Sequence, residues 1–225
     1  DAYLVDMILD KAGQKGTGKW TVEEALNTGT DGSLLASAVF ARFISSIKEE
    51  RVEASEQITI DMQKPEVDED FIEDVRRALY ASKIIAYAQG FDLMKNAAEA
   101  YGWQLDFQEI AKIWREGCII RAEFLDRIAE AYENKTLKNL MLADGFKEKL
   151  IEYHHSLRKV TALAIEYGIS VPAFSSAVAY FDAYRSKHVS ANLIQAQRDF
   201  FGAHTFERID EEGHFHHEWG VDHEA

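Results

Sequence analysis

Apolar residues recur at three- and four-residue spacing through most of the chain, and only Pro65 and Pro172 interrupt it, a pattern that predicts helices almost throughout. Thr21-x-x-Glu24 has the form of a capping box opening a short helix that ends near Gly29. Ser33 is placed to cap the next, in which Leu35, Val39, Phe43 and Ile47 fall four apart as one buried stripe, and the helix is expected to run to about Glu56. Gln57 to Asp70 carries a proline and a run of acids without a sustained period and reads as an exposed connection. From Phe71 to about Tyr101 the pattern is long, rich in alanine and aromatics, and apolar on a wide face, as a central helix requires, with Gly102 as its stop. Asp106-x-x-Glu109 opens another helix that Gly117 breaks, and "IIRAEFLDRIAEAYE" resumes the period. Gly145, Gly168 and Pro172 separate further helices, with Pro172 in the first turn of one, and Ser190 can cap a last one, "ANLIQAQRDFFG". Only "YLVDMI" near the start suits either a short strand or a helical turn. The expected architecture is all-α: a multi-helix domain over 1–206 with a long central helix, followed by an extended C-terminal tail over 207–225.

Composition narrows the classes. The 225 residues are 47% apolar, enough for a sizeable core, and 39 acidic against 25 basic residues give a formal charge of -14. Such a field repels nucleic acid and anionic membranes, so neither is an expected partner. The apolar runs fall short of the roughly 20 residues of a membrane-spanning helix, and no basic segment followed by an apolar one marks a secretory signal. Cys118 is the single cysteine and reads as a small buried hydrophobe in a reducing compartment, which points to the cytoplasm. Because Asp1 opens in the middle of a structured-looking stretch, the chain also reads as a piece of something longer.

One loop carries candidate chemistry. In "AGQKGTGKW", residues 12–20, Gly13 to Lys19 spells G-x-x-x-x-G-K, but Trp20 stands where a nucleotide-binding loop has its magnesium-holding hydroxyl, and no α/β pattern surrounds it. A nucleotide site is therefore rejected. What remains are glycines at 13, 16 and 18 that let backbone approach a ligand and two lysines, Lys15 and Lys19, that suit an anion. Taken alone, the same residues suit a flexible surface loop with solvated lysines better than an anion site.

Five blocks, "AGQKGTGKWT" (12–21), "AVFARFISSIKEERVEAS" (38–55), "ALYASKIIAYAQGF" (78–91), "IAKIWREGCIIRAEFL" (110–125) and "LIQAQRDFFGAHTFER" (193–208), resemble in order the helical C-terminal domain of the 6-phosphogluconate dehydrogenase family. The resemblance implies a domain that builds a homodimer and much of a sugar-acid pocket, in an enzyme that oxidises and decarboxylates 6-phosphogluconate to ribulose 5-phosphate with NADP, in the pentose phosphate pathway and gluconate utilization. It implies that Lys15 in "GQKG" and Arg42 in "FAR" contact the substrate phosphate. Arg198 in "QAQR" and His204 in "GAH" match substrate-binding residues that reach into the other subunit's site, while Lys19 takes no role. A phosphate dianion is well held by converging cations, arginine as a planar fork and lysine as a point charge.

What the sequence lacks bears on activity. No G-x-G-x-x-G follows a strand, and the lysine base and glutamate acid of the family lie upstream of the matched region, so no catalytic residue is expected here. The chain is expected to bind part of the substrate without turning it over, or to act only as a dimerisation scaffold. His214, His216, His217 and His223 invite a metal reading, but the family chemistry uses none, and no metal site is expected.

Overall fold

The computed structural model describes residues 2–117 and 123–220. Contacts divide the chain into two compact units, Asp1–Phe181 and Asp182–Ala225, so the expected boundary at 206/207 falls inside the second. Among the described residues the fold is all-α. The helices are α1 (Thr17–Thr28), α2 (Ser33–Ser46), α3 (Lys48–Gln57), α4 (Phe71–Tyr101), α5 (Phe107–Gly117), α6 (Glu123–Ala131), α7 (Phe146–Glu166), α8 (Pro172–Arg185) and α9 (Ala191–Gly202). No strand is present among them, and "YLVDMI" resolves into a 3-10 turn, Leu4–Met7. Cys118 lies outside the described residues.

α4 is the spine of the first unit. Its Ala78, Ala81, Ile84, Ile85, Ala88 and Phe91 are buried at helical spacing, and small alanines let α7 approach closely with Leu150, Leu157 and Val160. At one end Asp74 accepts from Ser156 Oγ and Lys159 Nζ, each at 2.6 Å, which ties the two helices and lowers the Asp74 pKa. At the other, Phe91 stacks on Tyr132 at 4.8 Å and meets Phe107 and Trp114 at 5.9 and 5.7 Å, joining α4 to α5 and the end of α6. Gly102 then stops the helix in the left-handed conformation, φ 70°, its N–H on the Ala98 carbonyl.

Three boundaries differ from expectation. α1 begins at Thr17, behind a left-handed Gly16, so Thr21 lies inside the helix and its hydroxyl donates back to the Thr17 carbonyl instead of forming a cap. The N-terminus of α2 is capped from a distance: Gln89, fully buried on α4, accepts from Leu34 N–H at 3.0 Å while its amide nitrogen donates to Asp31 and Ser33. The helix expected to reach Glu56 breaks at Ile47. There Ser45 and Ser46 hydroxyls donate to the carbonyls of Arg42 and Phe43, competing with the helical ladder. The predicted stripe is correspondingly incomplete: Val39 is buried, Leu35 is half-buried and Phe43 and Ile47 are exposed, while Leu34, outside the stripe, is buried instead.

In the second unit, α9 ends at Gly202 and the chain turns back. An isolated antiparallel bridge pairs Phe206 with Phe215, so the segment read as tail is a closed loop over these residues.

Candidate functional site

The glycine loop, the start of α1 and the middle of α2 enclose a cavity of about 480 Å³ lined by Gly13, Gln14, Lys15, Thr17, Gly18 and Arg42. Lys15 and Arg42, far apart in sequence, thus face one space. The first turn of α1 has no side-chain cap and no acid, which leaves its N–H groups and positive dipole end at the cavity. Arg42 Nε is buried without a hydrogen-bond partner among the described residues. A buried guanidinium N–H left unpaired is unfavourable unless something satisfies it, and an anion in the cavity would do so.

The ion pairs around this space are selective. Between residues 1 and 51 the cations are Lys11, Lys15, Lys19, Arg42, Lys48 and Arg51. Lys11 pairs with Glu49, Lys19 with Glu23, and Lys48 and Arg51 with Asp10. Among the described residues Lys15 and Arg42 alone of the six make no ion pair, so their charge is available to a ligand. The Lys19–Glu23 pair lies four residues apart on α1, on the exposed side of the helix.

The strap carrying Lys15 is held where it enters. Asp10 lies between Lys48 Nζ at 2.6 Å and Arg51 Nη1 at 3.1 Å, and Ala12 N–H donates to Ser45 Oγ at 2.9 Å. The Lys48 and Arg51 hydrogen bonds lower the Asp10 pKa from 3.8 to about 2. The sign follows: the clamp is fully formed above the ordinary aspartate pKa and is released as pH falls through about 2. The break at Ile47 is therefore useful, because it turns α3 so that Lys48 and Arg51 can reach this strap.

At Gly18 the first turn of α1 lies close against α2. A Cβ built on it would lie 2.5 Å from Arg42 Nη2 and 3.0 Å from Val39 Cγ2, so the guanidinium occupies space that only glycine leaves.

Arg198 and His204 belong to the second unit. Arg198 is exposed on α9, its Nη1 donating to Gln195 Oε1 at 3.0 Å, and His204 follows the helix in a tight turn. A residue with little signal in the sequence organises this region. Asp199 is fully buried, and its carboxylate accepts from the N–H groups of Thr205 at 3.0 Å and His217 at 3.1 Å and from Trp219 Nε1 at 2.8 Å, with His216 Nδ1 at 2.9 Å. Burial pushes its pKa up, but the hydrogen bonds from His216, His217, Trp219 and Thr205 outweigh that and hold it well below the ordinary carboxylate range. The only sequence signal was an acid set between Arg198 and Phe200 near a helix end, which a surface aspartate would also give. The histidine-rich tract is accounted for in part by the same carboxylate. Among the described residues no group of three potential ligands could hold a metal ion, and His223 lies outside them.

Comparison with known proteins adds an independent line. The family model described as "6-phosphogluconate dehydrogenase, C-terminal domain" matches residues 1–219. The decarboxylating 6-phosphogluconate dehydrogenase of Escherichia coli strain K12 is 56% identical over 219 residues, covering 96% of this chain and 47% of its own length. An NADP(+)-dependent, decarboxylating 6-phosphogluconate dehydrogenase of Bacillus subtilis strain 168 is likewise 56% identical, with the same coverage. Among solved structures, the 6-phosphogluconate dehydrogenase of Plasmodium falciparum, studied in its apo form and in complex with NADP+ and with 6-phosphogluconate, superposes with a TM-score of 0.91 at 48% identity. That match covers 96% of this chain and 47% of that one. The chain thus spans about half the length of the curated relatives it matches.

Proposed function

The chain belongs to the 6-phosphogluconate dehydrogenase family as its C-terminal domain, and from that premise we propose that it is the substrate-binding and dimerisation part of an enzyme that oxidatively decarboxylates 6-phosphogluconate to ribulose 5-phosphate with NADP. Lys15 and Arg42 hold the substrate phosphate in the cavity at the start of α1. Arg198 and His204 complete the corresponding site of a second copy in a homodimer. The single observation that carries this reading is the cavity itself, where the two cations left without ion pairs meet an uncapped helix N-terminus.

The described residues do not fit a nicotinamide dinucleotide. Its main site needs a strand leading through a glycine-rich turn into a helix, and no strand is present among them. No catalytic step is therefore assigned to these side chains; they bind and orient the sugar acid. The chain by itself is expected not to reduce NADP in the presence of 6-phosphogluconate, and such reduction by pure material would overturn this division of labour.

Calorimetric titration with 6-phosphogluconate tests the binding role. Saturable binding is expected, weakened about 10-fold by Lys15→Ala and by Arg198→Ala, as loss of one solvent-accessible charge-assisted contact predicts. Absence of heat up to about 10 mM ligand, where even a millimolar complex is well populated, would leave a dimerisation scaffold, the reading that the exposed apolar side of α2, with Phe40, Phe43 and Ile44, favours. Gly18→Ala supplies a sharper geometric check. The added methyl displaces the flexible end of Arg42 rather than backbone, so affinity is expected to fall about 10-fold while the melting temperature moves by only about 2–4 °C, the equivalent of roughly 1 kcal/mol. Unchanged affinity would mean that Arg42 does not act from this cavity.

A further inference from the structure

Arg198 and His204 sit in different local settings, one on α9 and one in the turn after it, yet two further side chains join them. Gln195, one turn before Asp199 on α9, uses both ends of its amide: Oε1 accepts from Arg198 Nη1 at 3.0 Å, and Nε2 donates to the carbonyl of Thr205. Asp199 takes the N–H of that same Thr205 on its carboxylate, and its main-chain carbonyl takes the N–H of Ala203. The two residues on either side of His204, Ala203 and Thr205, are therefore both held from one helix.

The turn needs that grip. Ala203 and Thr205 both adopt positive φ, 49° and 62°, and a β-branched residue is rarely found there unless the surroundings over-determine it. His204 stands between these two residues. Gly202 leaves its ring room, since a Cβ at that position would lie 2.8 Å from His204 Nε2. On its far side the Asp199 carboxylate also gathers His216, the His217 N–H and Trp219, which closes the returning chain onto the same post. A helix C-terminus alone would need none of these side-chain contacts.

We propose that Gln195 and Asp199 are positioning residues that preset Arg198 and His204 as one rigid pair for the anionic sugar acid, an inference that rests on the substrate-binding role given to that pair above. A free arginine side chain must lose rotamer freedom when it grips a ligand, and fixing it beforehand removes that cost from binding. The effect belongs to affinity and acts only through Arg198 and His204.

The test is a titration of the full chain with 6-phosphogluconate for the wild type, Gln195→Leu, Arg198→Ala and the double variant, with Trp219→Phe as a probe that removes one hydrogen bond from the Asp199 post while keeping an aromatic ring and substituting no residue of α9. Gln195→Leu is expected to raise Kd about 5-fold and Trp219→Phe about 2-fold, and Gln195→Leu is expected to cost clearly less once Arg198 is already alanine. Either of two results overturns the proposal alone: Gln195→Leu leaves Kd unchanged while Arg198→Ala raises it, or the two substitutions add fully, as a merely structural role would make them. If the wild type does not bind, or Arg198→Ala binds as well as the wild type, the substrate-binding reading fails and takes this proposal with it. Asp199→Asn extends the series. Should that variant unfold, the Gln195 and Trp219 arms still decide the matter.

Discussion

Arg42→Ala is expected to weaken 6-phosphogluconate binding about 100-fold while leaving the domain folded. Breaking a charged, largely desolvated contact costs about 2–3 kcal/mol. Arg42 is only half exposed, its Nε is buried without a partner among the described residues, and its guanidinium is wedged against Gly18. The loss is expected to exceed that of the exposed Lys15, which stands in water as a point charge. Arg42→Lys should recover little, because an ammonium cannot reproduce a planar fork aimed from this position. Stability should hardly change, or rise slightly, since truncation removes an unsatisfied buried N–H. Titration calorimetry with a parallel thermal melt separates the two quantities. Equal losses for Arg42→Ala and a solvent-exposed control such as Lys112→Ala would place the phosphate somewhere else.

The sequence carried α4 almost to the residue, because thirty-one positions of unbroken periodicity ending at a glycine admit little else. It failed where tertiary contacts supply what a local motif normally would. Gln89, nearly sixty positions away, caps α2, so Ser33 was not needed for that role. The break at Ile47 depends on two serine hydroxyls turning back on their own helix, and a serine pair inside an apolar period does not announce which way its side chains bond. At the site, Lys15 stood out through its glycines and Arg42 through its interruption of an apolar run. Their freedom from ion pairs was legible only in three dimensions, because it depends on Glu49, Glu23 and Asp10 being placed to engage their neighbours instead. Asp199 and Gln195 were invisible for a similar reason. Asp199 is buried because the chain past Gly202 folds back over it, and a segment of mixed charge and histidine gives no periodic signal that it will do so.

Phe91→Ala is expected to destabilise the chain by about 3–5 kcal/mol, the range for emptying a fully packed aromatic site. For a domain of this length each kcal/mol is worth roughly 2–4 °C, so the melting temperature should fall by about 6–20 °C. The ring is 2% exposed and touches Phe107 and Trp114 of α5 and Tyr132 just past the end of α6, none of which can collapse into the space without leaving the others. Ile72→Ala on the same helix is the control: at 77% exposure it should cost less than about 0.5 kcal/mol. The consequence reaches the cavity through two residues of α4. Gln89 holds the start of α2 from the same turn of helix that Phe91 anchors, and α2 carries Arg42. Ligand binding is therefore expected to disappear in step with unfolding in Phe91→Ala, with affinity intact below the lowered transition, whereas Arg42→Ala loses affinity at every temperature. If Phe91→Ala lost affinity while still fully folded, α4 would be shaping the cavity directly instead of merely supporting the helix that does.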